Sequence, residues 1–225
     1  MASIRSMSPK LAAVLWLTWT CCSSVATAYA EAPGELSSLA HMLVHEGREE
    51  PRVVACVACH RDSGGGDAGS AFGNITGHSA AYFAKQLRDY KSGRRENRVM
   101  QVIVEGLSET DIGALAAYYE HQVSAPTVQR VPEAPVVGVM LAQEGATARG
   151  IAACNACHGD ADARSAAEAP NLYGQHPIYI INQLEAWQNG TRRNDPADVM
   201  AAISKSLTAD EISAVAIYYA RRERQ

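Results

Sequence analysis

Phenylalanine is nearly missing from this chain, with only Phe72 and Phe83 among 225 residues. Small cores normally rely on such flat apolar side chains, so a chain of this length needs another source of apolar bulk. No apolar run reaches the roughly 20 residues that a membrane span requires; Leu11 to Cys22 falls short and sits near the N-terminus. Positive charge is not in excess either. The 20 Lys and Arg stand against 24 Asp and Glu, for a formal charge of −4. That balance argues against a nucleic-acid partner and favours salt-sensitive docking onto basic protein surfaces.

Residues 1–30 differ in kind from the rest. Arg5 and Lys10 form a positive start, the apolar stretch follows, and Ala28-Tyr29-Ala30 gives a small-x-small cleavage pattern before Glu31. This is the pattern of a secretory signal peptide. Cys21 and Cys22 suggest a lipoprotein, but Thr18-Trp19-Thr20 lacks the small residue such cleavage uses. Cleavage at Ala30 leaves four of the six cysteines and makes the formal charge two units more negative. The mature chain is expected in the periplasm, soluble or loosely associated with the inner membrane.

All four remaining cysteines lie in two copies of one motif: Cys56-Val57-Ala58-Cys59-His60 and Cys154-Asn155-Ala156-Cys157-His158. Cys-x-x-Cys-His is the attachment signature of c-type haem. Two thiols one helical turn apart add to the two vinyl groups of one porphyrin, and the adjacent imidazole reaches the iron. Cys56, Cys59, Cys154 and Cys157 are therefore the expected attachment points of two covalently bound haem c groups, with His60 and His158 as proximal ligands. A zinc site or a disulfide pair fits poorly, because the motifs lie 98 residues apart and each half looks complete alone. Export agrees with haem attachment outside the cytoplasm, and haem supplies the apolar body that the missing phenylalanines do not.

The motifs sit in an internal repeat. Met42-Leu43 and Glu46-Gly47 match Met140-Leu141 and Glu144-Gly145. Tyr82, Gln86, Leu87, Tyr90, Gly93 and Arg95 match Tyr179, Gln183, Leu184, Trp187, Gly190 and Arg192 at an offset of 97. After a three-residue insertion, Val99-Met100 matches Val199-Met200. Ser108-x-x-Asp111 and Thr208-x-x-Glu211 read as capping boxes opening a last helix in each half, followed by matching faces from Ile112 to Tyr119 and from Ile212 to Tyr219. Leu36, Leu39, Ala40 and Leu43 have helical spacing. Gly47 and Gly145 are expected where another helix approaches closely, and Gly93 and Gly190 where helices end. One all-α module is used twice: residues 35–122 and 138–225, joined by a Pro-containing linker over 123–137.

Met100 and Met200 are the expected sixth ligands, each placed in a loop before the last helix. A thioether there favours reduced iron, raises its potential and closes it to small ligands. His78 and His176, each 18 residues after a motif histidine, are the rivals; their place before a helix suggests a loop or capping role. Met42 and Met140 read as core, and His41, His45 and His121, without counterparts, as surface. Arg95 and Arg192 suit haem carboxylates, or else are solvated charges; Tyr90 and Trp187 suit the haem edge or the core.

Over roughly residues 35 to 225 the chain resembles the dihaem cytochromes of the c4 type, two class I cytochrome c domains in tandem. The resemblance rests on the two haem motifs, on Gly174, Gln175, Tyr179, Gln183 and Leu184, on the late methionines and on the Tyr-Tyr ending. It implies an electron carrier, not an enzyme, passing single electrons by outer-sphere transfer between respiratory partners such as a quinol-oxidising complex and a terminal oxidase. A second reading is the cytochrome subunit of a flavin- or quinone-dependent dehydrogenase, acting on sulfide or an alcohol. A peroxidase or ligand sensor needs an opened iron and ranks last. The resemblance also implies terminal helices crossing at Gly47 and Gly145, and a proline carbonyl that accepts a hydrogen bond from each proximal imidazole. Pro170 fits, but Gly73 stands in the first half, and Arg61 stands where Gly159 follows the second motif. Since such outer contacts tune a ligand, the two potentials are expected to differ.

Overall fold

The computed structural model describes residues 33–124, 132–159 and 169–222. The expected signal peptide, the middle of the linker and the Ala-rich stretch after the second motif lie outside the described residues. The first half runs through α1 (Pro33–His45), α2 (Val57–His60), α3 (Ala80–Lys91), α4 (Arg98–Glu105) and α5 (Glu109–Glu120). The second runs through α6 (Val136–Gln143), α7 (Asn155–His158), α8 (Pro177–Gln188), α9 (Val199–Lys205) and α10 (Ala209–Ala220). Among the described residues there is no strand, only isolated bridges such as Arg48 with Val53 and Ala146 with Ile151.

Each half encloses its own core. In the first, Leu43, Val44, Phe83, Leu87, Val104, Ile112, Leu115 and Tyr119 pack together; in the second, Leu141, Ile151, Ile180, Leu184, Ile212, Val215 and Tyr219 do so. Phe83 stacks on Tyr119 with ring centroids 5.1 Å apart. Both capping boxes form: Ser108 Oγ accepts from Asp111 N at 3.1 Å and Thr208 Oγ1 from Glu211 N at 3.2 Å, with each carboxylate reaching back to the cap amide. Each box satisfies two amides that a helix start leaves unpaired. α5 and α10 thus begin at equivalent places and present matching faces.

Gly47 and Gly145 are not where helices cross. They lie beyond α1 and α6 with φ of 77° each, and their amides donate back to Met42 O and Met140 O at 2.9 and 3.0 Å. This is a helix-ending turn whose left-handed residue favours glycine, and it steers the chain into the bridge preceding each motif. A Cβ at either position would run into that bridge's backbone. The crossing in the second half lies two turns earlier, at Gly138, where a Cβ would stand 2.4 Å from Ala214 O on α10. Ala40, the repeat partner of Gly138, is buried. Gly93 and Gly190 do end α3 and α8, with φ of 73° and 78°.

Gly138 and Gly113 separate the two roles of a helical glycine. G138V drives a branched side chain into Ala214 and is expected to destabilise the protein by about 1–3 kcal/mol, as overpacking does. G113A, on exposed α5 surface with nothing within 4 Å of the new Cβ, is expected to stabilise it by roughly 0.5–1 kcal/mol. Thermal melts of the two variants check both signs.

Candidate functional site

The two motifs fold alike. Val57–His60 and Asn155–His158 form single helical turns, closed by His60 N to Cys56 O and His158 N to Cys154 O, both 2.9 Å. Each first cysteine points its thiol at a carbonyl of the preceding helix: Cys56 Sγ lies 3.7 Å from Leu43 O and Cys154 Sγ 3.3 Å from Leu141 O. Burial pushes both thiols up to about 11. All four motif cysteines are free of disulfides. Among the described residues no group of three or more His, Cys, Asp or Glu is arranged to hold a metal ion.

The motif histidines are held by the loops that follow them. His60 Nδ1 donates to Gly73 O at 3.0 Å and His158 Nδ1 to Pro170 O at 2.8 Å. With the proton on Nδ1, the Nε2 lone pair is left for a metal. Burial lowers the pKa of both rings, which keeps them neutral. The carbonyl contact is therefore kept in both halves despite the missing proline, and one of the two grounds for unequal potentials falls away. Gly73 has its own reason: a Cβ there would lie 2.7 Å from the ring of Tyr179, which belongs to the second half.

Met100 and Met200 do not sit in loops. They lie in the first turns of α4 and α9. Asn97 caps α4 by accepting from Val99 N and Met100 N at 3.1 and 3.0 Å, so capping carries the helix start back over the methionine. Both methionines are half-buried beside their cores. Of the rival histidines, His78 lines the same cavity as the methionines, its ring 5.4 Å from Tyr82. His176 is fully buried, and its Nε2 lies 2.7 Å from Gly65 O of the first half. It occupies the cap position of α8, but its side chain makes no capping bond. Met42 packs against the first core, whereas Met140 is exposed. His41 and His121 are exposed as expected, and His45 is half-buried.

The ligand candidates of both halves face one cavity of about 440 Å3, within the range of cofactor sites. Cys56, Cys59, His60 and Met100 line it from one side; Cys154, His158 and Met200 do so from the other. Cys157 is exposed and stands outside that lining.

The cavity wall between the halves is built by Arg95 and Arg192, which pair as an antiparallel bridge and are only 4% and 5% exposed. The solvated-charge reading of these arginines is therefore wrong. Each stacks on an aromatic ring of its own half, Arg95 on Tyr90 at 4.5 Å and Arg192 on Trp187 at 3.9 Å. Each also reaches across: Arg95 donates to Tyr179 Oη and Gln183 Oε1, both at 2.7 Å, and Arg192 to Gln86 Oε1 at 3.1 Å. Burial first, and Arg95 next, push the Arg192 guanidinium down.

These partners are all neutral. Among the described residues neither guanidinium meets a carboxylate, although buried charges are normally paired. Trp187, which lines the same cavity, has a buried Nε1 without a hydrogen-bond partner. Two cations and an unused N–H in the wall, with thiols, neutral imidazoles and thioethers around an apolar interior, fit two haems, whose carboxylates the arginines would pair with. Tyr90 and Trp187 thus belong to the cavity wall.

The exchange of contacts between halves was not legible in the repeat. Asn74 N donates to Gln175 Oε1 at 2.8 Å and Gln175 Nε2 to Asn74 O at 2.9 Å. Asn194 Nδ2 bonds Gln86 and Asp89 at 3.0 and 2.8 Å. Tyr82/Tyr179 and Gln86/Gln183 are identical, but so are core pairs such as Ile112/Ile212 and Tyr119/Tyr219, so identity between the halves does not single out the seam.

No family model matches the chain. It is 41% identical over 178 residues to the thiosulfate dehydrogenase electron acceptor of Stutzerimonas stutzeri (strain A1501), covering 78% of this chain and 82% of that protein. It is 31% identical over 185 residues to cytochrome c4 of Pseudomonas aeruginosa, covering 81% and 91%. A solved structure of thiosulfate dehydrogenase (TsdBA) from Marichromatium purpuratum superposes with a TM-score of 0.76 at 35% identity, covering 83% of this chain but only 40% of that one. The chain belongs to the cytochrome c4 family, electron-transfer proteins with two class I cytochrome c domains and two covalently bound haems.

Proposed function

We propose that this protein carries single electrons between redox proteins of the periplasm, with one haem attached through Cys56 and Cys59 and ligated by His60 and Met100, and a second attached through Cys154 and Cys157 and ligated by His158 and Met200. The observation that carries this reading is the convergence of both candidate ligand sets on one cavity. His176 is spent on Gly65 O, which leaves the methionines as the pair of ligands common to both halves. Residues 35–122 and 138–225 are the two domains in this reading, and residues 1–30 the export signal.

The bound haems supply reversible one-electron chemistry. The chain does the rest. Gly73 O and Pro170 O hold the imidazoles in the tautomer that leaves Nε2 free for iron. Met100 and Met200, which line the same cavity, would complete the two ligand sets, and a thioether ligand would raise the potentials. Arg95 and Arg192, buried in the cavity wall between the halves, would pair with the haem carboxylates.

For the electron donor, the names of the relatives favour a dehydrogenase over a quinol-oxidising complex, and a thiosulfate dehydrogenase is the first to try. A terminal oxidase remains the proposed acceptor. Stopped-flow mixing of the oxidised protein with such a dehydrogenase and thiosulfate is expected to reduce both haems; no reduction above the rate with thiosulfate alone rejects this donor.

Two substitutions test the site. M100A is expected to let the first haem bind carbon monoxide and to lower its potential by on the order of 0.1 V or more, within the ~0.8 V range over which axial ligands act. R95Q removes a positive charge facing both halves, so both potentials are expected to fall, by on the order of 60 mV for a tenfold change in a one-electron equilibrium. Spectroelectrochemical titration reads both, with the exposed R193Q variant as control.

A further inference from the structure

α1 carries His41 and His45, four residues apart and therefore on one helical face, with ring centroids 4.4 Å apart. Neither residue has a counterpart in the second half, and neither is used by the haem cavity. His41 is exposed, and the His45 side chain is 25% exposed.

The second ring is oriented as metal-bound histidines are. His45 Nδ1 lies 3.2 Å from Asp62 Oδ1, and its Nε2 lies 3.4 Å from Tyr118 Oη. One tautomer satisfies both contacts: Nδ1–H donates to the carboxylate, and the Nε2 lone pair accepts from the phenol. A carboxylate behind a histidine fixes the ring and makes its other nitrogen a better ligand. The phenol contact is long for a hydrogen bond to oxygen or nitrogen, so a cation displaces it at little loss.

We propose that His41 and His45 form a two-imidazole site for a divalent first-row ion of the zinc class, with Asp62 as a positioning residue behind His45. Imidazole nitrogens suit that class, and the remaining positions fall to water on the exposed side. The site is independent of the haems. It ties α1 to the loop after the first haem motif, because Asp62 follows His60 by two residues.

Isothermal titration of the mature holoprotein with zinc chloride, in a buffer that does not chelate, tests this. The wild type is expected to bind one Zn2+ in this site. H41N is expected to weaken that binding at least tenfold and D62N by about 10–100-fold, while H121N, exposed and distant in sequence, leaves it unchanged. Zinc at saturating concentration is also expected to raise the melting temperature of the wild type and not of H41N. No zinc binding by the wild type, or equal binding by H41N, overturns the site; equal binding by D62N overturns the role of Asp62. Because His41 lies on the surface, loss of folding does not confuse the result, and an unchanged haem spectrum in H41N verifies that.

Discussion

Two guanidiniums buried side by side, with no carboxylate partner among the described residues, are the constraint on which the middle of this molecule depends. Arg95 and Arg192 repel, and burial removes the water that would screen them. Aromatic faces, glutamines and a tyrosine surround them, but none of these brings negative charge. The cavity they line is therefore shaped for anions, and the haem carboxylates are the anions in the proposed reading. In that reading the cofactor would complete the seam between the halves as well as each core.

The same seam explains where the repeat is broken. Tyr179 needs the space in front of Gly73, so proline is kept only at position 170, while the backbone carbonyl that orients the proximal imidazole is kept at both. Asp89 and Asn194 have no matching pair on the other side: Ala186 and Asn97 hold the equivalent positions. Duplication gives two alike sites, and the contact between them makes the copies unlike.

Much of the site could be read before any coordinates. Cys-x-x-Cys-His is short and chemically specific, and capping boxes are local, so Ser108, Asp111, Thr208 and Glu211 were legible from spacing alone. What failed depended on context. A glycine after a helix and a glycine inside a crossing look the same in sequence, so the repeat points to Gly47 and Gly145 as crossing points and does not single out Gly138. Asn97 capping extends α4 over Met100, a preference that competes with the reading of that segment as a loop. Arginine beside arginine reads as surface, whereas in the fold Arg95 and Arg192 are buried among partners from both halves. His176 has a spacing from His158 that suits a ligand, and a carbonyl 111 residues away in the chain claims it instead.

The account stands on two irons, each closed by a thioether and each exchanging one electron. Coulometric titration of the mature holoprotein, run with and without carbon monoxide, measures this directly. Two electrons per chain, with midpoints that carbon monoxide does not move, is the predicted result. Fewer than two electrons, or a midpoint that rises under carbon monoxide, would contradict it.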